Sequence, residues 1–284
     1  MGSKDKAWFL LPDKNEHWLF KYARLNKQVA TGEHWAEKIA AEIAELIGVA
    51  HCLVELAEFE GRMGSLSRRF RELSQPGMEL IHGNDLLAGL VLGYDRNKRF
   101  HQSDHTLENI LAAIAKVIPE GNEREVAFRQ LAGFVVLDAL ILNTDRHHEN
   151  WALLRENLPS GVIRHRVAPS FDHASSLGRE LPKEKLETWE EEDWRAKWYA
   201  LRAPGGIYLK KDQKKGENPL RLAEVALRWR PQHVRPWLDT LRGLNPAQLS
   251  DIVERIPVMV ISEQSRRFCT ALLRFTLEYL QKLK

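Results

Sequence analysis

The stretch from Glu123 to Leu142 constrains this chain most. Val126, Leu131, Phe134, Val135, Leu137, Ile141 and Leu142 spread apolar side chains over so much of a helical surface that the helix has to be mostly buried. Asp138 is the one charge in its second half. Directly beyond the helix stands a polar knot, Asn143-Thr144-Asp145-Arg146-His147-His148-Glu149-Asn150, and an apolar strand from Trp151 to Leu154 leaves it. A second strand, Val162 to Val167, follows a turn at 157–161, and Pro169-Ser170-Phe171-Asp172 comes next. The helix thus delivers the knot from a rigid support. The hairpin brings Asp145, Asn150 and Asp172 to the same end.

A carboxylate, an amide five residues on and a second carboxylate beyond a short hairpin are the groups phosphoryl transfer uses. Asp145 would orient the attacking hydroxyl, and the Asn150 and Asp172 oxygens would hold Mg²⁺ on nucleotide phosphates. A polar loop that only caps a helix has the same composition, so the reading needs matching parts elsewhere.

The first fifty residues supply candidates. Ala7 to Leu11 and His17 to Tyr22 read as a hairpin turned at 12–16. Lys21 sits inside its aromatic second strand. An edge lysine with its ammonium in water would look the same, while the functional reading is a point charge on the α/β-phosphates. A helix opens at Gly32-Glu33 and runs to about Ile47, with Gly48 ending it. Glu37 is the acid best placed to face Lys21; Glu33, Glu42 and Glu45 read equally as solvated acids. Two further strands, Cys52 to Phe59 and Arg62 to Ser67, turn at Glu60-Gly61. In a two-lobed kinase such a strand leads into the hinge, where backbone groups read adenine; Ser65 and Ser67 on it are candidate nucleotide neighbours. Asp138 either reaches water, pairs locally or braces the knot.

Residues 71–104 are mixed, with a short Glu79-Leu80-Ile81 segment. Thr106 to Val117 reads as an amphipathic helix. Gly178 to Trp198 reads as one charged amphipathic helix with Trp189, Trp194 and Trp198 interleaved. The cluster Lys210, Lys211, Lys214 and Lys215 is either a solvated loop or a contact for an acidic partner. The remainder is helical: Arg221 to Arg230, a segment after Pro231, one after Pro246 capped by Asn245, and Ile261 to Leu283.

A net charge of +3 is too small to argue for nucleic acid, and no direct nucleic-acid binding is expected. Cys52 and Cys269 lie far apart and form no metal or redox motif, which fits a reducing, cytoplasmic setting. No apolar run is long enough to span a membrane.

The order of parts is strand lysine, helix glutamate, hinge, buried helix, Asp-x4-Asn, hairpin, Asp. It resembles the HipA-like family of bacterial serine/threonine kinases and, more distantly, the phosphoinositide kinases. Asn143 to Asn150 is similar to the family's Asp-x-His-x-x-Asn catalytic loop, and Val167 to Asp172 to the segment ending in a metal-binding aspartate. Gly2-Ser3-Lys4-Asp5-Lys6 is similar to its Gly-x-Gln-x-Lys phosphate loop, with Lys4 in place of glutamine and Lys6 retained. The resemblance implies an α+β, two-lobed protein-kinase-like fold: a small β-rich lobe over 1–70 and a larger, mostly helical lobe over 71–284. It implies ATP and Mg²⁺ as cofactors. Asp145 would be the catalytic aspartate, with Asn150 and Asp172 on the metal and Lys21 on the phosphates. Glu37 would pair with Lys21, and His147 would brace the loop through a hydrogen bond. It further implies a protein substrate such as an aminoacyl-tRNA synthetase or other translation factor, a toxin role, and an antitoxin partner. Full-length family members also carry an N-terminal subdomain ahead of the phosphate loop, so either a separate chain supplies that part as a second partner or this branch does without it. Their inhibitory autophosphorylation serine, upstream of the loop glycine, would be absent or moved to Ser3.

Three readings stay open at this point: a protein kinase, a lipid or small-molecule kinase supported by Arg146 in the phosphoinositide-like loop, and a non-catalytic nucleotide-binding module.

Overall fold

In the computed structural model, which describes residues 6–11, 16–26, 29–188 and 192–284, the opening hairpin forms between β1 (Lys6–Leu11) and β2 (Glu16–Tyr22). Its register sets Lys6 opposite Lys21 and Trp8 opposite Leu19. A two-stranded ribbon, β3 (Leu25–Asn26) and β4 (Val29–Ala30), leads to α1 (Glu33–Ile47). Then come β5 (Val54–Phe59) and β6 (Arg62–Arg68), which complete an antiparallel sheet in the order β1-β2-β6-β5. Lys21 stands opposite Ser65, and Leu19 opposite Ser67. Directly paired residues share a face, so Lys21, Leu19, Ser65 and Ser67 all project to one side of the sheet. On the other side Phe9, Phe20, Tyr22 and Phe59 pack edge to face, with ring centres as close as 4.8 Å.

α1 is a helix because Ile39, Ile43 and Ile47 recur at helical spacing and all are buried. It stops at Gly48, whose left-handed backbone lets its N–H return to the Ala44 carbonyl. α1 packs against β5 and β6 and also against the helical body. The main apolar core is therefore continuous from α1 into the helical body, with a second small cluster around Ala152, Leu154 and Ala168.

A 3-10 turn at Arg71–Ser74 precedes β7 (Met78–His82) and α2 (Gly83–Ala88). α3 (Leu107–Val117) starts where Thr106 Oγ1 accepts the Asn109 N–H, and α4 (Asn122–Ile141) follows. β8 (Ala152–Asn157) and β9 (Ile163–Val167) form the expected second hairpin. β7 pairs with β8, making a three-stranded sheet of order β7-β8-β9. The sequence around Leu80 reads as mixed because five residues are too few to show a period, and Leu80 finds its partner far away at Leu154.

The chain closes with α5 (Lys183–Glu187), α6 (Glu192–Arg202), α7 (Pro219–Trp229), α8 (Pro231–Arg242), α9 (Pro246–Glu254) and α10 (Glu263–Gln281). The single charged helix expected over 178–198 is corrected to two, α5 and α6. Gly178 takes a left-handed φ and Pro182 is the residue before the first turn of α5, so no helix runs through 178–182. Trp189 lies outside the described residues. Asn245 caps α9 with a full capping box, as its place before Pro246 suggests.

α4 is the central element. Every residue from Leu131 to Ile141 is buried, against α7, α8 and α10. Its Gln130 amide also donates to the Val167 and Ala168 carbonyls, tying the end of β9 to the helix. Among the described residues, no helix is long and apolar enough to cross a membrane.

Candidate active site

α4 ends at Leu142, which caps the helix at φ 52°, an unfavourable conformation for a branched side chain. It turns the chain so that the Asn143 N–H donates to the Asp138 carbonyl at 2.8 Å. The Asp138 carboxylate is buried and fully engaged. It accepts from Arg146 Nε and Nη2, each at 2.7 Å, and from the Asn143 amide at 2.9 Å. Asp138 is thus the brace of the knot. Arg146, equally buried, donates onward to the Asn150 carbonyl (2.7 Å), the Phe171 carbonyl (3.3 Å) and Ser170 Oγ (3.0 Å). One guanidinium therefore ties α4, the loop and the segment before Asp172 together. The Arg146 side chain points inward, so within the phosphoinositide-like loop it serves as a structural tie.

Within the loop, Asn143 Oδ1 accepts the Asp145 N–H at 3.1 Å, and the Asn150 amide donates to the Asp145 carbonyl at 2.7 Å. Asp145 itself is half-buried, held by the loop on both sides of its peptide unit. Since Asn150 uses its N–H on Asp145, its amide oxygen is the atom left for a ligand.

Asp172 takes a left-handed φ of 57°, which aspartate tolerates better than most residues. Its carboxylate meets Lys21 Nζ at 3.2 Å. Burial opposes the charge on Lys21, but Asp172 and Glu37 outweigh it and push the ammonium's pKa up, so Lys21 stays charged. Glu37 is buried on α1. Its Oε1 accepts the His173 N–H at 3.0 Å, and it acts on Lys21 through its field rather than by a direct ion pair. Burial likewise opposes its ionisation, yet the His173 hydrogen bond and the Lys21 charge hold its carboxyl below the usual range. Its other oxygen, Oε2, is buried without a hydrogen-bond partner.

His147 is buried with Nε2 accepting the Arg99 Nε–H at 2.9 Å. Burial, then the Arg99 charge, pull its pKa down to about 3. The ring is neutral at physiological pH and its lone pair is occupied, which suits a brace and not a proton acceptor. His148 lies beneath the loop, 2.8 Å from the Tyr94 hydroxyl. His105 accepts from Trp151 Nε1 (3.0 Å) and lies 2.9 Å from the Gly206 carbonyl. Arg99, His105 and Gly206 are site neighbours that no sequence spacing signals. Gly206 is needed for its size: a Cβ there would stand 2.7 Å from the Arg146 carbonyl carbon.

Ser65 is buried beside Lys21 in register, and Ser67 lies one pair further along the same face. Lys6 begins β1 opposite Lys21 and is exposed. Gly2, Ser3 and Lys4 lie outside the described residues.

The oxygen donors fit Mg²⁺ better than a soft metal. Among the described residues, no group of three His, Cys, Asp or Glu side chains is placed to hold a metal alone. Asp172 and Asn150 would thus share the ion with phosphate oxygens, as Mg²⁺ sites commonly do.

The buried imidazoles make an acid-sensitivity prediction. Burial, with smaller effects from neighbouring charges, lowers the pKa of His105 and of His147 from 6.5 to about 3. Between those values the unfolded chain binds more protons than the folded one. Stability should therefore fall as pH drops from 6.5 toward 3, by up to about 1.4 kcal/mol per pH unit for each ring. Urea unfolding midpoints measured across that window check this; a midpoint independent of pH would contradict it.

Residues 1–228 match the model of the HipA-like C-terminal domain. The chain belongs to this HipA-like family. No curated protein matches it. Among solved structures, the Helicobacter pylori proinflammatory kinase CtkA superposes with a TM-score of 0.73 at 19% identity, over 98% of this chain and 94% of that one. HipA of Shewanella oneidensis MR-1, solved in a toxin–antitoxin complex with HipB and operator DNA, superposes with a TM-score of 0.57 at 14% identity. That match covers 99% of this HipA-like chain and 64% of the Shewanella HipA chain. At these identities the likeness establishes the fold: a mixed α/β, kinase-like architecture with a small sheet region and a larger helical region.

Proposed function

We propose that this HipA-like chain is an ATP- and Mg²⁺-dependent serine/threonine protein kinase. The observation that carries the reading is that Lys21 on β2 pairs with Asp172 after β9, while Asn150 pairs with Asp145 in the loop after α4, the two pairs being tied together by Arg146 through the Asn150 and Phe171 carbonyls. Nucleotide would lie between a lobe of residues 1–70 and a lobe of 71–284, along the sheet face that carries Lys21, Ser65 and Ser67. Lys21, held charged, would sit on the phosphates. Asp172 and Asn150 would hold Mg²⁺, which when bound supplies charge neutralisation on the transferring phosphate. Asp145 would accept the hydrogen bond of the acceptor hydroxyl and orient it for in-line attack. Glu37 keeps the field around Lys21 negative, and Asp138 with Arg146 fixes the loop.

A lipid or small-molecule acceptor is the second reading, and its support is the phosphoinositide-like loop around Arg146, which in this fold is a structural tie to Asp138. A toxin role, a translation component as target and an antitoxin partner belong to the proposal. Their support is family membership and the HipB-bound state of the Shewanella HipA. Phosphoproteomics of cells expressing wild type against Asp145→Ala tests it. New phosphoserine or phosphothreonine sites on translation proteins in wild type only are expected; identical phosphoproteomes would count against it.

A further inference from the structure

A cavity of about 280 Å³ opens on Asp145. Its walls come from the loop between α2 and α3 (Arg99, Phe100), from the knot (Asp145, His147) and from the loop between α6 and α7 (Gly206, Lys215). Lys21, Glu37, Asn150 and Asp172 take no part in its lining. It therefore approaches Asp145 apart from the phosphate-side groups. We infer that this cavity receives the acceptor segment of a protein substrate, and that it selects a segment with acidic residues next to the hydroxyl. The inference rests on the kinase reading for the chemistry, though not for the binding.

Its charge is the first argument. Arg99 is fixed by its Nε–H bond to His147 and lies 5.4 Å over the Phe100 ring, yet remains 44% exposed. Glu149, which takes no part in the lining, lies 3.9 Å from its Nε. Lys215 also lines the cavity; it is exposed and belongs to the lysine cluster that the sequence leaves open between a solvated loop and a contact for an acidic partner. That loop is anchored at both ends. Gly205 and Gly216 form an antiparallel bridge, the Glu217 N–H donates to the Ile207 carbonyl at 2.7 Å, and Lys211 pairs with Asp104 at 3.6 Å. Two cations from separate loops thus line the same cavity as Asp145.

Shape is the second argument. Phe100 is 58% exposed and offers an apolar contact to a neighbouring side chain. Walls drawn from separate loops, two of which carry a cation, suit an extended segment presenting carboxylates beside a serine or threonine.

The test uses fluorescent serine peptides flanked by glutamate, alanine or arginine, with binding read by anisotropy in the absence of nucleotide. The glutamate peptide should bind at least tenfold tighter than the others. Lys215→Glu and Arg99→Glu should each abolish that preference, with circular dichroism confirming the folded state. Equal affinity for the three peptides would overturn the inference. So would stronger binding to phosphatidylinositol 4-phosphate vesicles that the glutamate peptide cannot compete away. Peptide preference without any phosphate transfer would leave this site standing and remove the kinase reading instead.

Discussion

Asp145→Asn should lower the rate of phosphate transfer by about 10³-fold, within the range that a positioned acid–base group contributes. The substitution keeps the size of the side chain. It also keeps the loop, because the hydrogen bonds that shape it run through the Asp145 backbone: its N–H to Asn143 Oδ1 and its carbonyl from the Asn150 amide. What changes is the charge and acceptor strength offered to the incoming hydroxyl. The effect should therefore fall on kcat and not on nucleotide affinity, since Lys21, Asp172 and Asn150 are untouched. Steady-state kinetics together with Mg²⁺–ATP calorimetry on both proteins separates the two terms. An unchanged kcat would remove Asp145 from the chemistry.

Asp138→Ala should destabilise the fold by about 3–5 kcal/mol, the usual result of stripping one partner from a buried ion pair. Arg146 would keep its charge, buried, with three of its remaining acceptors being a hydroxyl and two carbonyls. Asn143 would lose its anchor at the same time. Replacing both members, Asp138→Leu with Arg146→Met, should cost less than the single change, because no unpaired charge is left behind. Urea unfolding of the three proteins measures this. A single variant as stable as wild type would mean the pair is not the brace. Activity in the double variant should stay low even if stability recovers, since Arg146 also links the loop to the carbonyl of Phe171, beside Asp172.

Much of the candidate site is legible in the chain because its parts are either local or carried by strongly patterned elements. Asp145 and Asn150 fall within one loop, directly after a helix whose apolar surface is unmistakable. Lys21 stands out as a cation in an aromatic strand, and Gly48 and Asn245 mark helix ends by simple backbone chemistry. The rest depends on contacts that spacing does not encode. Leu80 becomes a strand residue only through Leu154. Arg146 has no visible partner in the sequence until Asp138, eight residues earlier, is seen to take its guanidinium into the core. Glu37 sits at the expected turn of α1, yet its direct partner is the backbone of His173. Arg99, His105 and Gly206 come to the knot from distant loops, and nothing in their neighbourhoods announces it. The lysine cluster gains a role only when the Gly205–Gly216 bridge sets Lys215 at the cavity beside Asp145.

The central claim is that Lys21, Asp145, Asn150 and Asp172 form one phosphoryl-transfer site acting on protein hydroxyls. Its most direct test is incubation of the purified protein with γ-labelled ATP and Mg²⁺, in parallel with cell lysate and with lipid extract. Label on serine or threonine of lysate proteins, absent with Asp145→Ala and Asp172→Ala, is the result expected. Label confined to lipid, or equal labelling by wild type and both variants, would contradict it.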